Sequence, residues 1–366
     1  MSELPRRFSV PGRSLVKAAI ALPQIVSRVP IRPLEWLSSP ANREQVTFSA
    51  SSDVVWGEIY RSPGLGRRPG IILTLGANEL GGRDPRAIAL ADTLARSGFV
   101  VLMMCGAPAV VDPVADAPAA LARAPARAAA AFDFLSTRVD VDQSQIGFVG
   151  VCLGGGVCLL TASQPTLAAR VAFVFLIGPY YSLRRLLRSA VSGTSTDDNG
   201  APRPWMVRPF ALERIRGWLL QSLSPESRAR VCSALQQDGQ LDVEDLSPEE
   251  SATLQLACGV PLERADALIA VLDRQFLSNL DVGSPEGKLA GLRAPTFIMH
   301  GLADELIPVE ESRRLVNSLR GQVPLRYAEF ELFEHVDASR PLRAVAFARE
   351  IWRLGAHVEP LMRFAS

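Results

Sequence analysis

Three side chains in this sequence have the types and order needed for acyl transfer: Cys152, Asp304 and His335. Cys152 lies in "GFVGVCLGGGVCLL" (147–160), where Gly150-Val151-Cys152-Leu153-Gly154 has the pattern of a strand–nucleophile–helix elbow. Such an elbow strains the nucleophile's backbone and needs neighbours without bulk, so that strand and helix can close on one another. A thiol held there projects above the sheet at a helix N-terminus, where unpaired N–H groups and the helix dipole favour the thiolate. The other reading of the stretch is a tight junction with a small buried cysteine.

A nucleophile of this kind needs a base and an acid that orients the base, and in this arrangement they follow it in the order acid, histidine. Asp304 comes just beyond an apolar run in "FIMHGLADELIP" (297–308), with Glu305 as the fallback acid. His335 comes just beyond the next run, in "AEFELFEHVDASRP" (328–341). Both positions fall at C-terminal ends of expected parallel strands, the edge where open α/β sheets hold their sites. His335 would take the thiol proton while Asp304 held the ring by its other nitrogen. Of the three histidines, His300 precedes Gly301 at a strand end and reads as a packing residue, and His357 has no motif around it. The N–H of Leu153 would form half an oxyanion hole, the other half coming from the loop after residue 76, with Ala77 as first choice.

These residues need a scaffold, and the chain spells one. "QVTFSA" and "VVWGEIY", separated by Ser-Ser-Asp, read as a leading hairpin. Apolar runs then alternate with helical patterns: "GIILTLG" (70–76), a helix near 85–97, "FVVLMM" (99–104), a helix near 117–137, "IGFVGV" (146–151), a helix after Cys152 and "VAFVFLIG" (171–178). Strand–helix alternation predicts right-handed βαβ crossovers around a buried parallel sheet. Residues 180 to about 288 hold no convincing strand and read as a helical cap. Strands resume at "PTFIMHG" (295–301), followed by a helix at 309–320, "LRYAEFELFE" (325–334) and a last helix from about 339 to 355. The expected divisions are an N-terminal helical extension (1–45), the first part of the core (46–179), the cap (180–288) and the second part of the core (289–366).

"GVCLGG", "HGLADELIP" and "FEH" together resemble the α/β-hydrolase superfamily, and the cysteine elbow resembles the dienelactone hydrolases, which use a Cys–Asp–His triad. The resemblance covers about residues 46–178 and 290–355. It implies a mostly parallel sheet flanked by helices, a thioester intermediate on Cys152, and hydrolysis of an ester or lactone. In "GANELGG" (76–82), Glu79 resembles the glutamate that contacts the resting thiol in that family; if it aligns so, Leu80 replaces Ala77 as the second oxyanion donor. The chain departs from the family in its large cap and in lacking a glycine before His335. A cysteine elbow with such a cap is also similar to the polyhydroxyalkanoate synthases, acyltransferases on coenzyme A thioesters, although "VLMMCGAP" lacks their tryptophan-containing strand end. A non-catalytic protein that keeps the fold and buries Cys152 inertly is the third reading.

Sulfur chemistry narrows the substrate. A thiol ionises near pH 8.5 and water near 15.7, so a tetrahedral adduct on Cys152 expels the thiolate sooner than an unactivated alkoxide. Enol lactones, aryl esters and thioesters are therefore favoured. Tyr180, Tyr181, Trp205 and Phe210, in "YYSLRRLLR" and "RPWMVRPF", are candidates to line the acyl pocket, and Arg184, Arg185 and Arg188 to hold an anionic group.

Composition sets the outer bounds. In 366 residues, Lys+Arg number 39 against 38 Asp+Glu, a balance that gives no reason to expect nucleic acid as a partner. Five scattered cysteines without paired spacing argue against a disulfide framework or a zinc site, and fit a reducing, cytoplasmic compartment. No metal or organic cofactor is implied. The segment 14–26 reads as an amphipathic helix lying on the protein's own surface or, more weakly, on a membrane surface, and no apolar run reaches membrane-span length.

Overall fold

The computed structural model describes residues 12–26, 32–50, 53–64, 66–76, 83–106, 117–236, 245–334 and 340–366. Helices α1 (Arg13–Ile25) and α2 (Pro33–Leu37) lead into the hairpin of β1 (Asn42–Ala50) and β2 (Asp53–Arg61), antiparallel with Ala50 opposite Asp53. β1 thus starts inside the expected N-terminal extension. There follow β3 (Arg68–Thr74), α3 (Pro85–Arg96), β4 (Val100–Gly106), α4 (Ala117–Ser136), β5 (Val141–Val151), α5 (Leu153–Ala162) and β6 (Val174–Ile177). After the cap come β9 (Thr296–Gly301), α12 (Val309–Leu319), β10 (Leu325–Phe330) and α13 (Ala344–Phe364).

The eight-stranded sheet has the order β1-β2-β4-β3-β5-β6-β9-β10. From β4 to β10 every pairing is parallel, and β2 joins β4 antiparallel. Its central strands carry unbroken buried runs, such as Ile71–Leu73 of β3 and Ile146–Val151 of β5, because both faces are covered there. Ile71 and Leu73 pack with Leu94 of α3 and Leu354 of α13, while Ile72 between them packs with Phe132 of α4, Leu159 of α5 and Leu315 of α12. Cys152 stands at the end of β5, near the middle of the sheet.

Between β6 and β9 lie α6 (Leu183–Ser192), α7 (Pro209–Gln221), α8 (Pro225–Gln236), α9 (Pro248–Cys258), α10 (Leu262–Ile269) and α11 (Arg274–Val282). Two corrections apply to this segment. "TSTDDNGAPRP" contains a small hairpin, β7 (Thr194–Thr196) with β8 (Pro202–Pro204), closed by Asp197, whose carboxylate accepts from the N–H groups of Asn199 and Ala201. The helical pattern over 261–280 resolves into two helices, because Asp273 caps α11 by accepting from Phe276 N–H at 2.7 Å. The cap's first helix is tied to the core by Glu311 of α12. Its carboxylate accepts from the N–H groups of Tyr181 and Ser182 at 3.0 and 2.8 Å, satisfying the chain just ahead of α6.

The last helix runs to Phe364 rather than about residue 355, passing through Pro360. Its extension meets α1: Ala18, Ala21 and Leu22 are buried, Ser14 Oγ donates to Glu359, and Lys17 Nζ donates to the carbonyl of Ala365. Leu15 and Val16 remain exposed. Among the described residues no helix is long and apolar enough to cross a membrane.

Candidate active site

Cys152 has φ 56° and ψ −126°, and among the described residues it is the only non-glycine at positive φ. An L-residue held there carries strain of about 1–3 kcal/mol, so its surroundings must over-determine it. Cys152 N–H donates to the Ile177 carbonyl of β6 at 2.8 Å, and its own carbonyl accepts from Gly155 N–H at 2.9 Å. Gly154 is pressed onto the end of β3, where a Cβ would come 2.4 Å from the Thr74 carbonyl oxygen. Gly76 approaches from the other side, and a Cβ there would stand 2.9 Å from Cys152 Sγ and 3.0 Å from Leu153 N. Glycine at both positions lets two backbone segments converge on the thiol. Leu153 begins α5, so its N–H has no acceptor within the helix. Ala77, Glu79 and Leu80, expected on the loop that continues from Gly76, lie outside the described residues.

Asp304, 3% exposed, sits in the turn after β9. Its Oδ1 accepts from Leu306 and Ile307 N–H at 2.8 and 2.9 Å, and Oδ2 lies 3.4 Å from His300 Nε2. Its backbone carbonyl accepts from the indole Nε1 of Trp205, in the cap, at 2.7 Å. Glu305 turns instead to Arg208, 3.3 Å away, and accepts from Arg208 N–H on its carbonyl.

His335 lies outside the described residues. The chain leading to it runs beside the acid's turn: Phe330 pairs with Gly301, and a Cβ on Gly301 would come 2.5 Å from the Phe333 carbonyl oxygen. The other two histidines are buried. His300 has Nδ1 2.6 Å from Ser312 Oγ and Nε2 2.9 Å from the Ile307 carbonyl, so both its nitrogens are occupied. His357, on α13, packs edge-on against Phe175 and Phe330, and neither of its nitrogens has a hydrogen-bond partner. Burial, with the charge of Arg326 adding to it, pushes its pKa down to about 4.

Above the thiol is a cavity of about 50 Å³. Its floor is Cys152 and Leu153, Leu306 and Ile307 of the acid's turn form one side, and Leu186, Trp205 and α7 form the roof. α7 turns Phe210, Arg214 and Trp218 to the cavity at four-residue spacing, with Ala211 and Ile215 alongside. Arg214 is the charged residue in this apolar lining, its guanidinium 5.0 Å from the centre of the Phe210 ring.

Trp205 and Phe210 therefore line the cavity, whereas Tyr180 does not. Tyr180 is fully buried in the core, and its hydroxyl donates to the Gly283 carbonyl at 2.6 Å. Tyr181 packs against the opposite face of the sheet. Arg184, Arg185 and Arg188 are committed to the carboxylates of Asp281, Glu286 and Asp266. Leu186, Ile215 and Trp218 are lining residues that the sequence reading missed. The i, i+4, i+8 spacing of Phe210, Arg214 and Trp218 was the available signal. Among the described residues no group of His, Cys, Asp or Glu could hold a metal ion.

No protein-family model matches the chain, and no curated protein matches it in sequence. Solved structures do. An esterase from Pyrobaculum calidifontis is 15% identical with a TM-score of 0.51, over 96% of this chain and 92% of its own. An acylaminoacyl peptidase from Pyrococcus horikoshii is 14% identical with a TM-score of 0.51 over 90% of this chain, which spans only 42% of the peptidase. A dienelactone hydrolase-like phosphotriesterase from metagenomic libraries is 15% identical at a TM-score of 0.45, over 88% of this chain and 99% of its own. With the sheet order and the elbow geometry, the first two likenesses establish the architecture: the chain has the α/β-hydrolase fold.

Proposed function

We propose that this protein is a hydrolase of activated carboxylic esters or lactones, working through a thioester on Cys152. The observation that carries the reading is the strained elbow: a cysteine held at φ 56° on the floor of an apolar cavity. Strain of this kind persists where the surrounding structure enforces it, and it clusters at functional sites. We assign the base to His335 and the orienting acid to Asp304, whose turn is fixed by two backbone N–H donors and lies beside the chain that leads to His335. Sγ attacks the acyl carbonyl carbon as its proton passes to the imidazole. The oxyanion is received by Leu153 N–H and by an N–H of the loop after Gly76, Ala77 or Leu80. Collapse breaks the bond to the alkoxide, which leaves with the proton from His335. Water then attacks the thioester, His335 taking its proton and returning one to the thiolate as the acid departs. We assign to Glu79, by its resemblance to the glutamate of the dienelactone hydrolases, the role of contacting the resting thiol.

We divide the chain accordingly into an N-terminal extension, a two-part hydrolase core and a helical cap over 180–288. Five free cysteines favour a reducing compartment, the cytoplasm. Incubation with p-nitrophenyl butanoate and mass spectrometry of the quenched protein tests the reading. A butanoyl adduct on Cys152, with turnover in water, is expected. An adduct that is discharged only by an added alcohol or thiol would make the protein an acyltransferase, and no adduct at all would leave Cys152 inert. Cys152→Ala should lower kcat/KM by at least about 10³-fold while leaving the thermal melting transition in place.

A further inference from the structure

We propose that Trp205 is the wall that limits the acyl chain to a few carbons, and that the chamber behind it is a second, unused acyl subsite that would take a long alkyl chain. The inference rests on reading Cys152 as the acyl-accepting nucleophile. Two cavities share part of their lining: the inner one between core and cap over Cys152, about 50 Å³, and an outer one in the cap of about 500 Å³. Both are walled by Ala190, Trp205, Val207 and Ile215, and among these four the indole is by far the largest group. About 10–15 Å³ of such volume admits one water, so the inner cavity takes a handful of heavy atoms, the size of an acetyl to a butanoyl group.

The outer space is about ten times larger; it opens to the surface beside Arg216 and Cys258, and Val191, Leu256 and Val260 give its inner part apolar surface suited to methylene groups. The residues common to the two linings are Ala190, Trp205, Val207 and Ile215, so the wall between the spaces is built from them. The separating indole is held at two points, by its Nε1 donating to the Asp304 carbonyl at 2.7 Å and by its backbone N–H donating to the Gly193 carbonyl at 2.8 Å. A wall anchored to the acid's own turn stays in place while substrate binds. The protein as it stands is therefore selective for short acyl groups, and the selectivity is steric.

The test is the ratio of kcat/KM for p-nitrophenyl decanoate to that for the butanoate. In the unmodified protein the ratio should be well below one. Trp205→Ala should raise it at least tenfold, through a lower KM for the decanoate. Trp205→Phe keeps a ring in the wall while losing the indole donor, and should keep the original ratio. Adding Cys258→Trp, which places a bulky ring in the outer chamber, should cancel the gain of Trp205→Ala. A folded Trp205→Ala protein with the original ratio, or a gain that survives Cys258→Trp, overturns the proposal. Should Trp205→Ala not fold, Ile215→Ala thins the same wall and must raise the ratio in the same direction; no rise overturns it. If no ester is turned over and Cys152 is never acylated, the nucleophile reading has failed by itself. The wall is then judged by binding: decanoate must protect Cys258 from N-ethylmaleimide in Cys152→Ala/Trp205→Ala and not in Cys152→Ala alone, and equal protection in both overturns it.

Discussion

Cys152 and Cys158 belong to the same turn-and-helix segment, yet the fold treats the two thiols in opposite ways. Cys152 stands just ahead of α5 at positive φ and lines a cavity. Cys158, within α5, is wholly buried, with its sulfur 2.9 Å from Thr74 Oγ1, and burial pushes its pKa up to about 12. Thr74 takes part in both environments, since its hydroxyl also donates to the Gly154 carbonyl at the elbow. Sequence neighbours thus differ in surroundings: one borders a cavity and the other faces packed atoms. The two buried histidines repeat the contrast. His300 has a partner on each nitrogen at the sheet's edge, while His357 has none among the aromatic rings beneath α13.

The largest expected difference is between the two thiols. The loss of at least about 10³-fold in kcat/KM on Cys152→Ala should have no counterpart in Cys158→Ala, and comparable losses in the two would erase the contrast. Next in size is the effect of His357. Its folded pKa lies below the ordinary value of about 6.5, so the fold favours the neutral ring. That contribution is complete above pH 6.5 and is lost as pH falls from there toward 4, at a cost of about 3 kcal/mol. His357→Phe should flatten the decline of melting temperature over that range, and an unchanged decline would assign the acid lability to other groups. Gly76→Ala sharpens the account of Cys152, because the added methyl would fall 2.9 Å from Sγ and must displace it. A loss of about 10²-fold in kcat/KM is expected, measurable with p-nitrophenyl butanoate. The smallest effect is that of Cys158→Ala on stability, about 1 kcal/mol by denaturant titration, from the lost sulfur contacts and a small void.

The elbow was legible because its glycines are required by backbone contact, and such requirements leave a fixed spacing in sequence. The parallel strands were legible for a similar reason: a strand covered on both faces has to be apolar along its length, as β3 and β4 are. The cap was read less well. Tyr180 and Arg184 adjoin a central strand, but adjacency does not say which way a side chain points, and both turn away from the cavity toward Gly283 and Asp281. The β7–β8 hairpin has strands of three residues around an Asp-Asp-Asn-Gly turn, too short for alternation to register. The last helix runs past its expected end near residue 355 and through Pro360, where α1 packs against it.

The Glu311 carboxylate satisfies backbone groups that precede it by 129 and 130 positions. On a ribosome, α6 therefore emerges long before the residue that completes its leading end. Until α12 has been synthesised and has docked, the start of α6 must find its hydrogen bonds in water, so the final seating of this region belongs to the late, long-loop stage of folding.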